Sequence, residues 1–206
     1  MESYAGHAGQ GPPQPCDRRT LDTTYTVPKN PPSVIHLEVY AEDGATHNAS
    51  ETADFPTGNW YGTLREHAQG NIYNDAVVVL FSFKEERDGT IKGGGRIKFT
   101  SEPKSFYNCV HTRTLIRSDE AELPISGKRV GDEFQLELPT NVTLKMRLKS
   151  DCPPPQTSGE REGRRSLGMS EVFYHPKVKA RDGATNSFHQ SGAFNIDGSI
   201  ELHQAE

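Results

Sequence analysis

Strand-like alternation of apolar and polar residues is the feature that most constrains the fold of this chain. Segments 34–40, 134–138 and 142–149 alternate with a period of two, which places their apolar side chains on one face of a strand. Segment 75–83, DAVVVLFSF, is apolar on both faces at its centre, as a central strand of a sheet is. Only segment 61–69 approaches a helical period.

Asp-Gly pairs separate several of these segments and supply the positive φ angles of tight hairpin turns. They occur at Asp43-Gly44, Asp88-Gly89, Asp182-Gly183 and Asp197-Gly198. Strands joined mostly by hairpins, with almost no helix, predict an all-β fold. We expect an antiparallel β-barrel or a closed sandwich of about eight to ten strands.

Three consecutive glycines, Gly93-Gly94-Gly95, interrupt the stretch ERDGTIKGGGRIKF. A phosphate-binding loop needs a helix directly after its glycines, whereas the residues that follow here alternate as a strand. Glycine inside a strand costs roughly 0.5–1 kcal/mol relative to alanine. The triplet therefore indicates a bend at a barrel corner or, as the alternative, the close approach of a ligand or another backbone.

Composition divides the chain into an arm and a domain. Residues 1–30 are rich in Gly, Pro, Gln and Thr without a periodic apolar face, which predicts a flexible N-terminal arm. Residues 31–206 are expected to form a single β-barrel domain. Within it, the proline-, glycine- and charge-rich segment 150–168 predicts a mobile polar loop.

Charge and cysteine content limit the partners and the compartment. The net charge of -5 provides no global positive field for nucleic acid. No apolar run reaches the ~20 residues of a membrane helix, and no secretory signal is recognisable. The 3 cysteines match no zinc signature, and their odd number argues against a disulfide framework. These features predict a cytoplasmic protein that binds neither nucleic acid nor membrane.

Nucleic-acid binding remains a weaker option because of a basic stripe formed by Lys145, Arg147 and Lys149. It is weaker because no aromatic residues are interleaved with the stripe to stack on bases.

Gly58-Asn59-Trp60, followed by the first strong hairpin, resembles the G-x-W entry of the calycin barrels, the lipocalin and avidin group. The resemblance implies a barrel in which the tryptophan closes one end and the interior holds an apolar ligand. A core role for Trp60 is the preferred interpretation, since buried aromatic residues mostly serve packing. We expect any ligand to contact Trp60, Gly94 and Cys109.

One strand could carry chemistry. In segment 106–114, a period of two places Tyr107, Cys109, His111 and Arg113 on the same face. Facing inward, this set would supply a proton donor, an imidazole and a fixed cation, which can bind a carboxylate or enolate and move a proton. Facing outward, it would be an ordinary solvated surface. The candidate catalytic residues are therefore His111, Tyr107 and Arg113.

Two further features are assigned no chemistry. Arg161, Arg164 and Arg165 alternate with acidic residues, which is typical of a solvated loop, although an anion- or partner-binding segment is the alternative. No histidine spacing of a metal site and no nucleotide or flavin motif is present, so no metal or cofactor is expected.

Two functions follow from these patterns. The first is a small-molecule-binding β-barrel, whose catalytic form would be a cofactor-independent cyclase or isomerase acting on an apolar substrate in the cavity. The alternative is a non-catalytic protein-interaction module that uses its loops and tails.

Overall fold

A computed structural model describes residues 31–42, 48–118 and 122–205. The arm predicted over residues 1–30 lies outside the described residues. The described chain forms one short helix, α1 (Glu171–Tyr174), and otherwise strands. The strands are β1 (Val34–Glu42), β2 (Asn48–Pro56), β3 (Trp60–Gln69), β4 (Asn74–Glu85), β5 (Thr90–Glu102), β6 (Lys104–Phe106), β7 (Cys109–Ser118), β8 (Leu123–Val130), β9 (Glu133–Glu137), β10 (Thr143–Asp151), β11 (Gly159–Ser166), β12 (Lys177–Lys179), β13 (Ala184–Gln190) and β14 (Asn195–Gln204).

Eight strands form one antiparallel sheet in the order β12-β9-β8-β5-β4-β3-β14-β13. Its two edge strands, β12 and β13, lie beside each other, so the sheet is a nearly closed barrel. This confirms the predicted all-β, antiparallel, barrel-like fold. Segment 61–69, which approached a helical period, lies in β3, where its even-numbered residues face the core.

A second sheet, in the order β11-β10-β7-β6, lies against the barrel. Strand β5 pairs with β8 only from Thr90 to Gly95, and its remaining part runs beside β7. Apolar residues of β10, among them Leu144 and Met146, belong to the same core as the barrel residues. A hairpin of β1 and β2 contacts β4 and β5. No helix in the described ranges is long and apolar enough to cross a membrane.

Aromatic side chains fill the interior near the start of β3. The Trp60 ring packs edge-on against Phe134 with a centroid distance of 5.1 Å, and Phe83 packs against Phe134 at 5.2 Å. All three side chains are buried. Trp60 is therefore a core residue, in agreement with the preferred interpretation of its sequence motif.

Two of the three strand glycines, Gly93 and Gly95, make room for the neighbouring strand. In the register of β5 with β4, Gly93 faces Phe83 and Gly95 faces Phe81. A Cβ at Gly93 would overlap the Ser82 carbonyl oxygen and the Phe83 Cβ, and one at Gly95 would lie 2.7 Å from the Leu80 carbonyl oxygen. None of the three has a φ in the left-handed region. Gly93 and Gly95 are thus required by close approach to β4 rather than by their backbone angles, whereas a Cβ at Gly94 would meet the side chain of Glu122.

We expect Gly93→Ala to lower the free energy of unfolding by about 1–3 kcal/mol, because the added methyl group overpacks β4. Urea denaturation followed by tryptophan fluorescence measures the loss. Gly159→Ala is the matched control, since Gly159 also lies in a strand but no atom comes within 4 Å of the position that its added methyl group would take. Equal losses in the two variants would contradict the steric explanation.

Segment 150–168 differs from the predicted loop, because residues 159–166 form the edge strand β11. This polar strand forms by antiparallel backbone pairing with β10, and charged side chains pair across it: Lys145 with Glu162 at 2.8 Å and Arg147 with Glu160 at 2.9 Å. The sequence prediction missed the strand because residues 159–166 themselves have no apolar alternation. The division into an arm and one domain stays a prediction.

Cys109 and Cys152 form a disulfide, in contrast to the expectation from the odd cysteine count. The two residues are 43 positions apart, but β7 pairs with β10 so that Val110 lies opposite Asp151 and the cysteines are the next pair. An odd count leaves one cysteine over without preventing the other two from pairing. Cys16 lies outside the described residues.

Candidate ligand-binding cleft

A cleft of about 400 Å³ opens at the end of the barrel where β3 leads into β4. We call it the end cleft. One part of its lining is apolar and includes Ala68, Met169 and Phe194. The other part is polar and is formed by Tyr73, Asp75, Arg113 and Arg165. An apolar wall with a few polar groups is the usual composition of a small-molecule site.

An ionic cluster of one carboxylate and two guanidinium groups forms the polar part. The Asp75 Oδ2 atom accepts a hydrogen bond from Arg113 Nη1 and another from Arg165 Nη1, each at 2.7 Å. Asp75 is on β4 of the barrel, whereas the arginines are on β7 and β11 of the second sheet. The side chain of Asp75 is 4% exposed and that of Arg165 is 11% exposed. The cluster therefore links the two sheets from a largely buried position.

Further contacts orient both guanidinium groups. The Arg113 guanidinium lies over the Tyr73 ring, 3.3 Å from its centroid, which is a cation–π contact. Arg165 Nε donates to the carbonyl oxygen of Ser166 at 3.1 Å. These contacts restrict the rotamers of both arginines, so the cations are held in place before any ligand arrives.

Three buried atoms of the cluster have no hydrogen-bond partner in the described part of the chain: Asp75 Oδ1, Arg113 Nε and Arg165 Nη2. Buried polar atoms in folded proteins are nearly always paired, with protein, water or ligand. Two arginines share a single carboxylate, so the cluster also carries one surplus positive charge. The ionic cluster therefore combines unpaired hydrogen-bonding atoms with a surplus positive charge.

Glu66 lies two residues before Ala68 on the core-facing side of β3 and is also buried. Its carboxylate oxygens already accept hydrogen bonds. They accept from Met169 N at 2.7 Å, Ser170 N at 3.0 Å and Ser170 Oγ at 2.8 Å. These bonds fix the loop that precedes α1, and Ser170 Oγ also accepts from Phe173 N at the start of that helix. Glu66 thus positions the loop that borders the end cleft.

Tyr174 holds the same loop from the other side. Its hydroxyl group accepts from Gly168 N at 3.0 Å and donates to Gly168 O at 3.1 Å. Burial raises the pKa of the Tyr174 phenol above its usual value, and the nearby Glu66 charge acts in the same direction. The phenol therefore stays neutral, as is required for it to donate to Gly168.

The candidate catalytic residues are only partly brought together. Arg113 lines the end cleft, and His111, two positions earlier on β7, lies edge-on to Tyr73 with a centroid distance of 6.3 Å. The His111 Nδ1 atom is 2.8 Å from Ser150 Oγ. Tyr107 lies apart in the turn between β6 and β7, with a φ of 49° and an exposure of 76%. Strand alternation does not extend back to Tyr107 because β7 begins at Cys109.

The residues expected to contact a ligand lie elsewhere. Trp60 is in the aromatic core, and Cys109 is in the disulfide. Gly94 is buried beside Glu122, whose Oε1 atom would lie 2.7 Å from a Cβ added to the glycine. The end cleft is not lined by any of the three. Their assignment to ligand binding stays a prediction.

Sequence reasoning missed Tyr73, Asp75 and Arg165. A carboxylate at the start of the apolar segment DAVVVLFSF was an available signal, since a buried strand carries a charge only where a partner neutralises it. Arg165 was assigned to a solvated loop, and its inward direction follows only from the pairing of β11 with β10.

In comparisons with known proteins, no family model, no curated protein and no solved structure matches this chain.

Proposed function

We propose that this protein is a small-molecule-binding β-barrel and that the end cleft is its ligand site. One observation carries the proposal: a cleft of about 400 Å³ combines apolar walls with a preorganised ionic cluster that has unpaired polar atoms. Small-molecule sites in proteins are typically clefts of roughly 300–1,000 Å³ with this composition. The likeness to the calycin group supports the same function and remains a proposal.

The ligand is a largely apolar small molecule with a polar end. Its apolar part contacts Ala68, Met169 and Phe194, while its polar part meets the ionic cluster. The aromatic packing around Trp60 supports placing the ligand at this end of the barrel rather than at the centre. Nucleic acid is not proposed as a partner, because the basic stripe of β10 is paired with acidic residues. A membrane is not proposed either.

Binding is favoured over turnover by the contacts of His111. A cofactor-independent cyclase or isomerase would need a proton-transfer group against the substrate. His111 contacts Tyr73 and Ser150 rather than lining the end cleft, and Tyr107 is remote from it on the hairpin tip. Catalysis is therefore the second possibility for this site, with His111 and Arg113 as its residues.

A protein-interaction module is the alternative from a different class. The turn between β6 and β7 favours it, because Tyr107 is 76% exposed and packs on Phe106 with a centroid distance of 4.3 Å. Exposed aromatic residues are enriched at protein interfaces. Such a function would leave the end cleft without a ligand.

The compartment is a separate question. Composition predicts a cytoplasmic location, whereas the Cys109–Cys152 disulfide favours an oxidising compartment, since cytosolic thiols are kept reduced. On the basis of this disulfide, we propose the oxidising compartment.

The neutral apolar dye Nile red tests the binding proposal. We expect saturable fluorescence enhancement with the wild-type protein and about 10-fold weaker binding with Phe194→Ser, which removes an apolar ring from the cleft wall. Val172→Ser is the matched control, since Val172 is 46% exposed and Phe194 is 42% exposed. Equal affinities in the two variants, or no saturable binding by the wild type, would refute the proposal.

A further inference from the structure

We propose that the natural ligand of the end cleft carries a carboxylate group, which Arg113 and Arg165 bind together. This inference rests on the proposed function and specifies the chemical class of the ligand. Arg113 and Arg165 are the cations of the cleft wall, and Asp75 is a positioning residue that holds them on one oxygen atom.

The charge balance of the cleft supports an anion. Asp75 neutralises one of the two guanidinium groups, which leaves one positive charge in a largely buried place. A buried charge is expensive unless an opposite charge accompanies it. Glu66, the other buried carboxylate near the cleft, directs its oxygens to the loop at Met169 and Ser170 and makes no ion pair with either arginine. A ligand carboxylate would give the second guanidinium group a directly paired opposite charge.

The donor geometry supports a carboxylate in particular. Arg113 and Arg165 converge from two strands on the same Asp75 oxygen, so the two guanidinium groups are close neighbours. Each also retains an unpaired N–H group, at Arg113 Nε and Arg165 Nη2, within the described part of the chain. Guanidinium groups present parallel donors that match the two oxygens of a carboxylate. The stacking of Arg113 on Tyr73 preserves this orientation.

A purely structural role for the cluster predicts a different result. If the two arginines serve only to link the sheets, the cleft should take a neutral ligand and an acidic ligand of the same shape equally well. The two explanations can therefore be separated with matched ligands on the unmodified protein, without depending on any variant that fails to fold.

The experiment compares decanoate with decanamide at neutral pH, by displacement of Nile red and by isothermal titration calorimetry. We expect decanoate to bind about 10- to 100-fold more tightly, since charge-assisted hydrogen bonds are about twice as strong as neutral ones. Arg165→Gln should remove most of this preference. Arg164→Gln, an exposed neighbour on β11, is the control for the loss of one charge and should retain the preference.

The outcomes distinguish the two proposals. Saturable binding of both ligands with equal affinity would overturn the carboxylate inference and leave the binding function standing. Binding of neither ligand, together with the absence of Nile red binding, would overturn both. A preference for decanoate that survives Arg165→Gln would overturn the assignment of Arg165.

Discussion

Asp75→Ala is expected to lower the free energy of unfolding by about 3–5 kcal/mol, because it leaves two largely buried guanidinium groups without their shared carboxylate. The cluster joins the barrel to the second sheet, so the loss should also loosen β7 and β11. Urea denaturation measures the free energy, and hydrogen exchange resolved by peptide measures the protection of those two strands.

Asp132→Ala is the control for this prediction. Asp132 is exposed and pairs with Lys179 at 3.0 Å on the surface, where an ion pair contributes little. We expect a much smaller change in stability than for Asp75→Ala. A double variant, Asp75→Ala with Arg165→Met, should recover part of the stability, since it removes one of the uncompensated charges. Similar losses for Asp75→Ala and Asp132→Ala would show that the cluster does not hold the sheets together.

Trp60→Ala is expected to cost about 3–5 kcal/mol, because truncation of a buried indole leaves a cavity beside Phe134. Trp60→Phe should cost less, since a ring remains in the same place. Denaturation by urea, followed by far-UV circular dichroism because the single tryptophan is absent, measures both losses.

The same variants decide between two roles for Trp60. If Trp60 is a core residue, Trp60→Phe should leave the affinity for Nile red unchanged. If it contacts the ligand, as the calycin resemblance implies, the affinity should fall even though the protein remains folded. Tyr107→Ala provides the aromatic control, because Tyr107 is exposed on the hairpin tip and its removal should alter neither stability nor dye affinity.

The strands with apolar alternation were predictable because their signal is local. In β4 and β10, the period of two places each side chain on a face without reference to any other part of the chain. The same reasoning placed His111 and Arg113 on one face of β7, and both contact Tyr73 in the folded chain. Tyr107 was assigned to that face only because the start of the strand could not be located.

Strand β11 and the disulfide were not predictable by these means. Residues 159–166 have no apolar alternation, and they become a strand because β10 offers backbone hydrogen bonds and complementary charges. Cys109 and Cys152 meet through the pairing of β7 with β10. The cysteines are 43 positions apart, whereas β11 follows β10 directly along the chain but has no apolar pattern of its own to reveal it.

The end cleft shows most clearly which features follow from the local sequence and which depend on the tertiary structure. Local periodicity decided that this chain forms strands, where many of them lie and which faces are apolar. Tertiary structure alone decided that Asp75 meets Arg113 and Arg165, which are 38 and 90 positions away from it. Side-chain periodicity is a property of one strand, whereas the order in which strands pair depends on the free energy of the whole sheet.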